Sequence, residues 1–141
     1  MNRAATFLIV DDVDENRYLL GKTLQRKFHA ARVLECLDSA DALAVLESEK
    51  PEAVIVHRAR DLDGVALVQA IRRAAPTTPI VMVSGRDQCP EALAAGANAF
   101  LNYDAWLRIG TIVEEVMSPE YVKALTRTPF KSDGDFLGVR R

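Results

Sequence analysis

The chain has only two cysteines, Cys36 and Cys89, and no spacing that pairs them as a scaffold. A disulfide-stapled secreted fold is excluded, and both thiols fit a reducing compartment as small apolar residues. Long hydrophobic runs are missing as well. No apolar stretch approaches the roughly 20 residues that a helix needs to span a bilayer. Met1 to Thr6 is too short and polar for a signal peptide. A soluble cytoplasmic protein with no membrane partner is therefore expected. Excess positive charge is also absent. The formal net charge is −2, which argues against a dedicated nucleic-acid binder. Neither common glycine-rich phosphate loop occurs, and no Cys/His spacing suggests a structural metal. His29 stands alone near a helix end and reads as a surface residue.

What is present is ordinary for one globular domain: 141 residues, 49% hydrophobic and 27% charged. Short apolar runs alternate with helix-length amphipathic stretches. Phe7–Val10, Arg32–Leu37, Ala53–Val56, Ile80–Val83 and Ala99–Asn102 read as strands. Glu15–Phe28, Ala40–Glu49, Gly64–Ala75, Glu91–Ala95 and Ala105–Met117 read as helices. In the first helix, Tyr18, Leu19, Leu24 and Phe28 form the expected inner stripe, with Arg17, Lys22, Arg26 and Lys27 mostly outside. Asp38-Ser39 offers a cap, Pro76 a stop, and Gly96 a helix end. Such alternation implies a parallel sheet covered on both faces by right-handed crossovers. Ser118-Pro119-Glu120 signals a further short helix, and Thr128–Arg141 reads as a tail. The expected division is a domain over 5–118 and an extension over 119–141.

The chemistry gathers where strands end. The first run goes straight into Asp11-Asp12, and the third goes into His57-Arg58. In open α/β sheets, ligands sit outside the carboxyl ends of the strands. Those ends here carry Asp11, Asp12, His57, Ser84 and Tyr103. Two acids facing a histidine and an arginine is different chemistry from three acids around a metal ion.

Several segments together resemble a bacterial response-regulator receiver domain over roughly residues 5–118. They are Leu8-Ile9-Val10-Asp11-Asp12, Asn16-Arg17, Lys50 to Val56, Asp63-Gly64, Pro79 to Gly85 and Gly96 to Leu101. Each is weak alone, and their order and spacing are specific. The resemblance implies a flavodoxin-like, doubly wound five-stranded parallel sheet of strand order 2-1-3-4-5. It also implies a role in two-component phosphorelay signalling. In that family the acid pair binds Mg²⁺, and an aspartate ending the third strand accepts a phosphoryl group from a histidine kinase. A serine or threonine ending the fourth strand and a lysine ending the fifth contact that group. Asp11 and Asp12 match the metal acids, Ser84 the hydroxyl, and Phe100 the aromatic that couples phosphorylation to a surface change. The acceptor position is His57, and the lysine position is Tyr103, followed by Asp104 where proline is usual. The loop Arg58 to Leu62 lacks the usual Met-Pro and is one residue short. Asp63 fits the family's ordinary Asp-Gly turn, and Asp61 lies too far along the loop to replace the acceptor by a register slip.

Two carboxylates in a crevice repel each other and need a cation. One reading has His57, with Arg58 or Arg60, pairing with Asp11 and Asp12 in a fixed, phosphate-free state. A second treats these residues as relics, with His57 filling space and Asp12 capping. A third holds Zn²⁺ or Mn²⁺ on Asp11, Asp12 and His57. Mg²⁺ binding is expected to be weak or lost, and no other cofactor is expected. Ser84 lacks a base and an orienting group in a nucleophile-elbow context, so no enzyme is expected. The leading function is an atypical stand-alone receiver, a pseudo-receiver acting by protein contact without aspartyl phosphorylation. The alternatives are a phosphorylatable receiver with unusual ligation and a divalent-metal-binding module. The resemblance implies a signalling partner, a histidine kinase or output protein, on the helix 4–strand 5–helix 5 face, with a homodimer as the other occupant. Tyr103 and Trp106 fall on that face by alignment, Trp106 either as an exposed anchor or as a residue packed under later turns.

Overall fold

The computed structural model describes residues 5–58 and 63–117, without the side chain of Arg58. Five parallel strands form one sheet in the order β2-β1-β3-β4-β5. They are β1 (Thr6–Val10), β2 (Arg32–Cys36), β3 (Ala53–Arg58), β4 (Ile80–Ser84) and β5 (Ala99–Asn102). The helices are α1 (Asp14–Lys27), α2 (Ser39–Glu49), α3 (Gly64–Ala74), α4 (Cys89–Ala95) and α5 (Ile109–Met117). A 3-10 helix, Tyr103–Arg108, leads into α5. This is the flavodoxin-like architecture and strand order expected from the sequence.

Strand alternation sorts the core into two halves. Phe7, Ile9, Ile55, Val83 and Leu101 face α1 and α5, where Leu24 and Ile112 meet them. Leu8, Val10, Val56, Met82 and Phe100 face α2, α3 and α4, where Leu46 and Ile71 meet them. Both faces of the central strands are dry, which explains why their sequences are apolar throughout. The same alternation decides which face each strand-end residue enters.

Some boundaries and faces differ from the sequence reading. β3 runs two residues further than Val56, because His57 pairs with Val83 and Arg58 with Ser84. The site histidine is therefore held by the ladder itself. Only the last part of the expected final helix is α-helical, since Asn102 caps a 3-10 turn through Asp104 N and Ala105 departs from helical angles. In α1 the roles of two neighbours are exchanged. Tyr18 is 60% exposed, whereas Arg17 is 8% exposed. Arg17 lies one turn before Leu20 and Gly21, so it falls on the inner stripe. Its guanidinium reaches the Asp11 carbonyl at 2.6 Å and Glu35 at 2.9 Å, and it also binds Asp14. A buried arginine is tolerated because those acceptors replace its water.

Away from the site, Arg72 pins the far edge of the sheet. It donates to the carbonyls of Gly96, Ala75, Pro76 and Thr78 and to Asn98 Oδ1, at 2.7 to 3.0 Å. Asn98 Oδ1 in turn accepts from Ile80 N, so one side chain fixes the starts of β4 and β5. Gly96 ends α4 at φ +118, and a Cβ there would meet Arg72 Cγ at 2.8 Å. Asp63 caps α3 by accepting from Ala66 N at 3.0 Å, so it has a structural task. Arg60, Asp61 and the segment after Met117, with its expected short helix and tail, lie outside the described residues. Arg72→Ala strands several carbonyls and should lower the unfolding free energy by about 2–4 kcal/mol, measured by urea denaturation.

Candidate functional site

β1 and β3 are neighbours, with Val10 opposite Val56. The next residue on each, Asp11 and His57, therefore stand side by side beyond the last β1–β3 pair. By alternation both enter the α1/α5 face, above Ile9 and Ile55. Their side chains are 0% and 6% exposed, and His57 Nδ1 lies 2.5 Å from Asp11 Oδ2. With Asp11 as a carboxylate, which can only accept, Nδ1 carries the proton and donates. The same bond forms from the neutral Nδ1–H tautomer and from the imidazolium, and in the second it is also an ion pair. The other oxygen, Asp11 Oδ1, accepts from Val13 N at 2.8 Å. Both oxygens of this buried acid are thus engaged by the protein.

Tyr103 completes the cluster from the end of β5. Its ring lies flat on the His57 imidazole, with centroids 4.4 Å apart and planes at 6°. Its hydroxyl donates to Asn16 Oδ1 on α1 at 3.0 Å. One side chain therefore links the ends of β3 and β5 to the first turn of α1. Burial, with Asp11 and then Glu15 nearby, pushes the Tyr103 hydroxyl above the ordinary tyrosine value.

The remaining strand-end residues are placed differently. Asp12 is half-buried and has a partner, and Val13, not Asp12, is the N-cap of α1. Ser84 alternates onto the α2/α3/α4 face and is fully buried. Its Oγ donates to Gln88 Oε1 at 3.2 Å and accepts from Arg86 N at 3.1 Å. Phe100 is 2% exposed in the core of that face, opposite Met82. The fold thus unites Asp11, His57 and Tyr103, and directs Ser84 and Phe100 to the other side of the sheet. The Arg58 side chain and Arg60 lie outside the described residues. Asn16 was legible only as part of a matching segment, since nothing in its spacing points to Tyr103. The two cysteines are free, and burial pushes both thiols up, away from reactivity.

The expected metal readings meet a geometric obstacle. Two ligands of one Zn²⁺, each about 2.0–2.2 Å from it, stand about 3 Å apart. Asp11 and His57 are at hydrogen-bond distance and leave no room for an ion between them. Among the described residues, no group of three or more His, Cys, Asp or Glu is arranged to hold a metal. In this structure Asp11 and His57 form a hydrogen-bonded pair, and the Asp11–Asp12–His57 set is not gathered around a common metal position among the described residues. Mg²⁺ takes one or two carboxylates and fills its shell with waters, but both oxygens of Asp11 are already engaged, by His57 Nδ1 and Val13 N.

Two predictions follow from this geometry. His57→Asp would crowd carboxylates with no proton donor between them, so Mg²⁺ should raise the melting temperature of that variant and leave the parent unchanged. Differential scanning fluorimetry with and without MgCl₂ checks this. The raised Tyr103 value means that the fold prefers the neutral phenol. That stability is present below the ordinary tyrosine pKa and is lost as pH rises through Tyr103's own higher value. Tyr103→Phe should flatten this alkaline loss of stability, read by urea titrations across the alkaline range.

A family model described as the response regulator receiver domain matches residues 7–104. Among curated proteins, the DNA-binding transcriptional regulator NtrC of Proteus hauseri is 27% identical over 96 residues, 67% of this chain and 20% of that protein. The nitrogen assimilation regulatory protein NtrX of Azorhizobium caulinodans is 32% identical over 95 residues, 65% of this chain and 20% of that protein. The chain thus spans about one fifth of the length of these relatives. Among solved structures, the receiver domain of NtrX from Brucella abortus is 25% identical with a TM-score of 0.69, covering 79% of this chain and 97% of that one. The signal receiver domain of NarL from Mycobacterium tuberculosis is similar in fold at 23% identity and a TM-score of 0.72, over 82% of this chain and 98% of that one. The chain belongs to the response-regulator receiver family.

Proposed function

We propose that this receiver works in two-component signalling by protein contact alone, without aspartyl phosphorylation and without enzymatic activity. The observation that carries the reading is the 2.5 Å bond between His57 Nδ1 and Asp11 Oδ2. Phosphoryl transfer to an aspartate needs an ionised carboxylate as nucleophile. It needs a metal ion or cation to take up the charge that develops. Here an imidazole stands at the nucleophile's place, and its Nδ1 lone pair is tied up in an N–H bond. Asp11, the matching metal acid, has both oxygens engaged by the protein. A phenol stacked on the imidazole replaces the lysine. The two substitutions support one another physically: the histidine satisfies the acid, and the tyrosine covers the histidine. A cytoplasmic setting follows from the signalling role, and no helix among the described residues is long and apolar enough to cross a membrane.

Receiver domains engage histidine kinases and output domains, and this reading keeps that partner class. The expected contact face for a partner or a homodimer is α4–β5–α5. Tyr103 and Trp106, assigned to it by alignment, are half-buried and pack against the core half that belongs to α1 and α5.

Incubation with acetyl phosphate and MgCl₂, followed by intact-mass spectrometry, tests the proposal. The expected result is an unchanged mass. A gain of one phosphoryl group that hydroxylamine removes would establish the phosphorylatable alternative.

A further inference from the structure

α2 and α3 cover the same half of the core, on the other side of the sheet from the closed crevice. Each returns between neighbouring parallel strands, so the two helices run in the same direction. A cleft of about 470 Å³ lies between them, lined by Leu43, Leu46 and Glu47 from α2 and by Ala70, Arg73 and Ala74 from α3. Leu46 is buried, and Leu43 is half-buried beside it.

Each wall of the cleft carries one charge, and the two are opposite in sign. Glu47 and Arg73 are both exposed. Neither is paired with the other, nor with any other ionised group among the described residues. Both stand in the last turn of their helices, so they lie at the same end of the cleft. One turn earlier, Leu43 on α2 is level with Ala70 on α3. A further turn back, Ala40 and Ala66 are level and exposed. Charge, a large side chain against a small one, and two small ones thus follow in order along the two helices.

This pattern matches itself under one kind of symmetry. A two-fold axis parallel to the helices sets α2 of one copy against α3 of the other, with like ends level. Glu47 then meets the partner's Arg73, Leu43 meets the partner's Ala70, and each contact occurs twice. A two-fold axis across the helices would set like helix on like helix in opposite directions, and neither charge would meet its opposite. A partner surface of one charge sign would leave either Glu47 or Arg73 unmatched, whereas a second copy matches both.

We propose that two copies of this chain associate through the α2–α3 cleft as a two-fold four-helix bundle, held in register by Glu47 and the partner's Arg73. The leucines supply the apolar burial, and the ion pairs select the arrangement. This dimer uses neither the α4–β5–α5 face nor the Asp11–His57 pair, so it stands independently of the phosphorylation reading.

Sedimentation velocity of the full chain over a concentration series tests it. The expected result is a reversible monomer–dimer equilibrium. Glu47→Arg alone and Arg73→Glu alone should each weaken it at least about tenfold, because symmetry places two like-charged contacts in every dimer. An equimolar mixture of the two variants should dimerise again, since each supplies the charge that the other has lost. The chain carrying both substitutions should self-associate like the parent. Both side chains are exposed and unpaired, so circular dichroism should show an unchanged fold in every variant. A parent that stays monomeric at every concentration would overturn the proposal. So would a dimer that neither single variant weakens, which places the contact on another face. Weakening that neither mixing nor the double substitution restores would overturn the Glu47–Arg73 register and the arrangement with it.

Discussion

A buried carboxylate must be neutralised or hydrogen-bonded, and Asp11 is fully buried at the end of a central strand. The arrangement around the crevice follows from how that requirement is met. One oxygen is satisfied locally by Val13 N, and the other by His57 Nδ1 across the β1–β3 pair. A metal ion or a lysine could have served, but a strand-borne imidazole does so with no exchangeable component. Breaking such a pair from the histidine side leaves one oxygen of the acid without a partner in a dry site, and breaking buried pairs costs about 3–5 kcal/mol in other proteins. The crevice is in this sense closed by its own residues.

Closure then spreads outward through rigid contacts. His57 is fixed by the β3–β4 ladder, and Tyr103 lies against it in parallel. The Tyr103 hydroxyl reaches Asn16, so the junction between β5 and the 3-10 helix is tied to α1. Arg17, the next residue on α1, holds the Asp11 carbonyl and bridges to Glu35 on β2. The strand ends and the first turn of α1 form one hydrogen-bonded block.

The fold was largely legible because its signals are local. Apolar runs such as Phe7–Val10 and Ile80–Val83 need both faces dry, and Gly96 and Asp38 mark helix ends that the structure keeps. The pairing of Asp11 with His57 was legible as well, since both end central strands and one is an acid. Three features were not. Arg17 and Tyr18 exchanged faces because a stripe begun at Tyr18 and Leu19 is out of phase with Leu20, Gly21 and Leu24, which the fold buries. The partner of Tyr103 lies 87 positions away on α1, and no spacing rule reaches that far. The placement of Trp106 against α1 depends on a 3-10 turn, which periodicity reads as ordinary helix.

The proton held between His57 and Asp11 is what closes the crevice. Long-range nitrogen–proton correlation spectra of the imidazole, with His57 distinguished from His29 by a His29→Gln variant, observe it directly. A protonated Nδ1 with a strongly downfield proton is expected, unaltered when MgCl₂ and acetyl phosphate are added. An unprotonated Nδ1, or a His57 spectrum that shifts when Mg²⁺ enters, would contradict this closure.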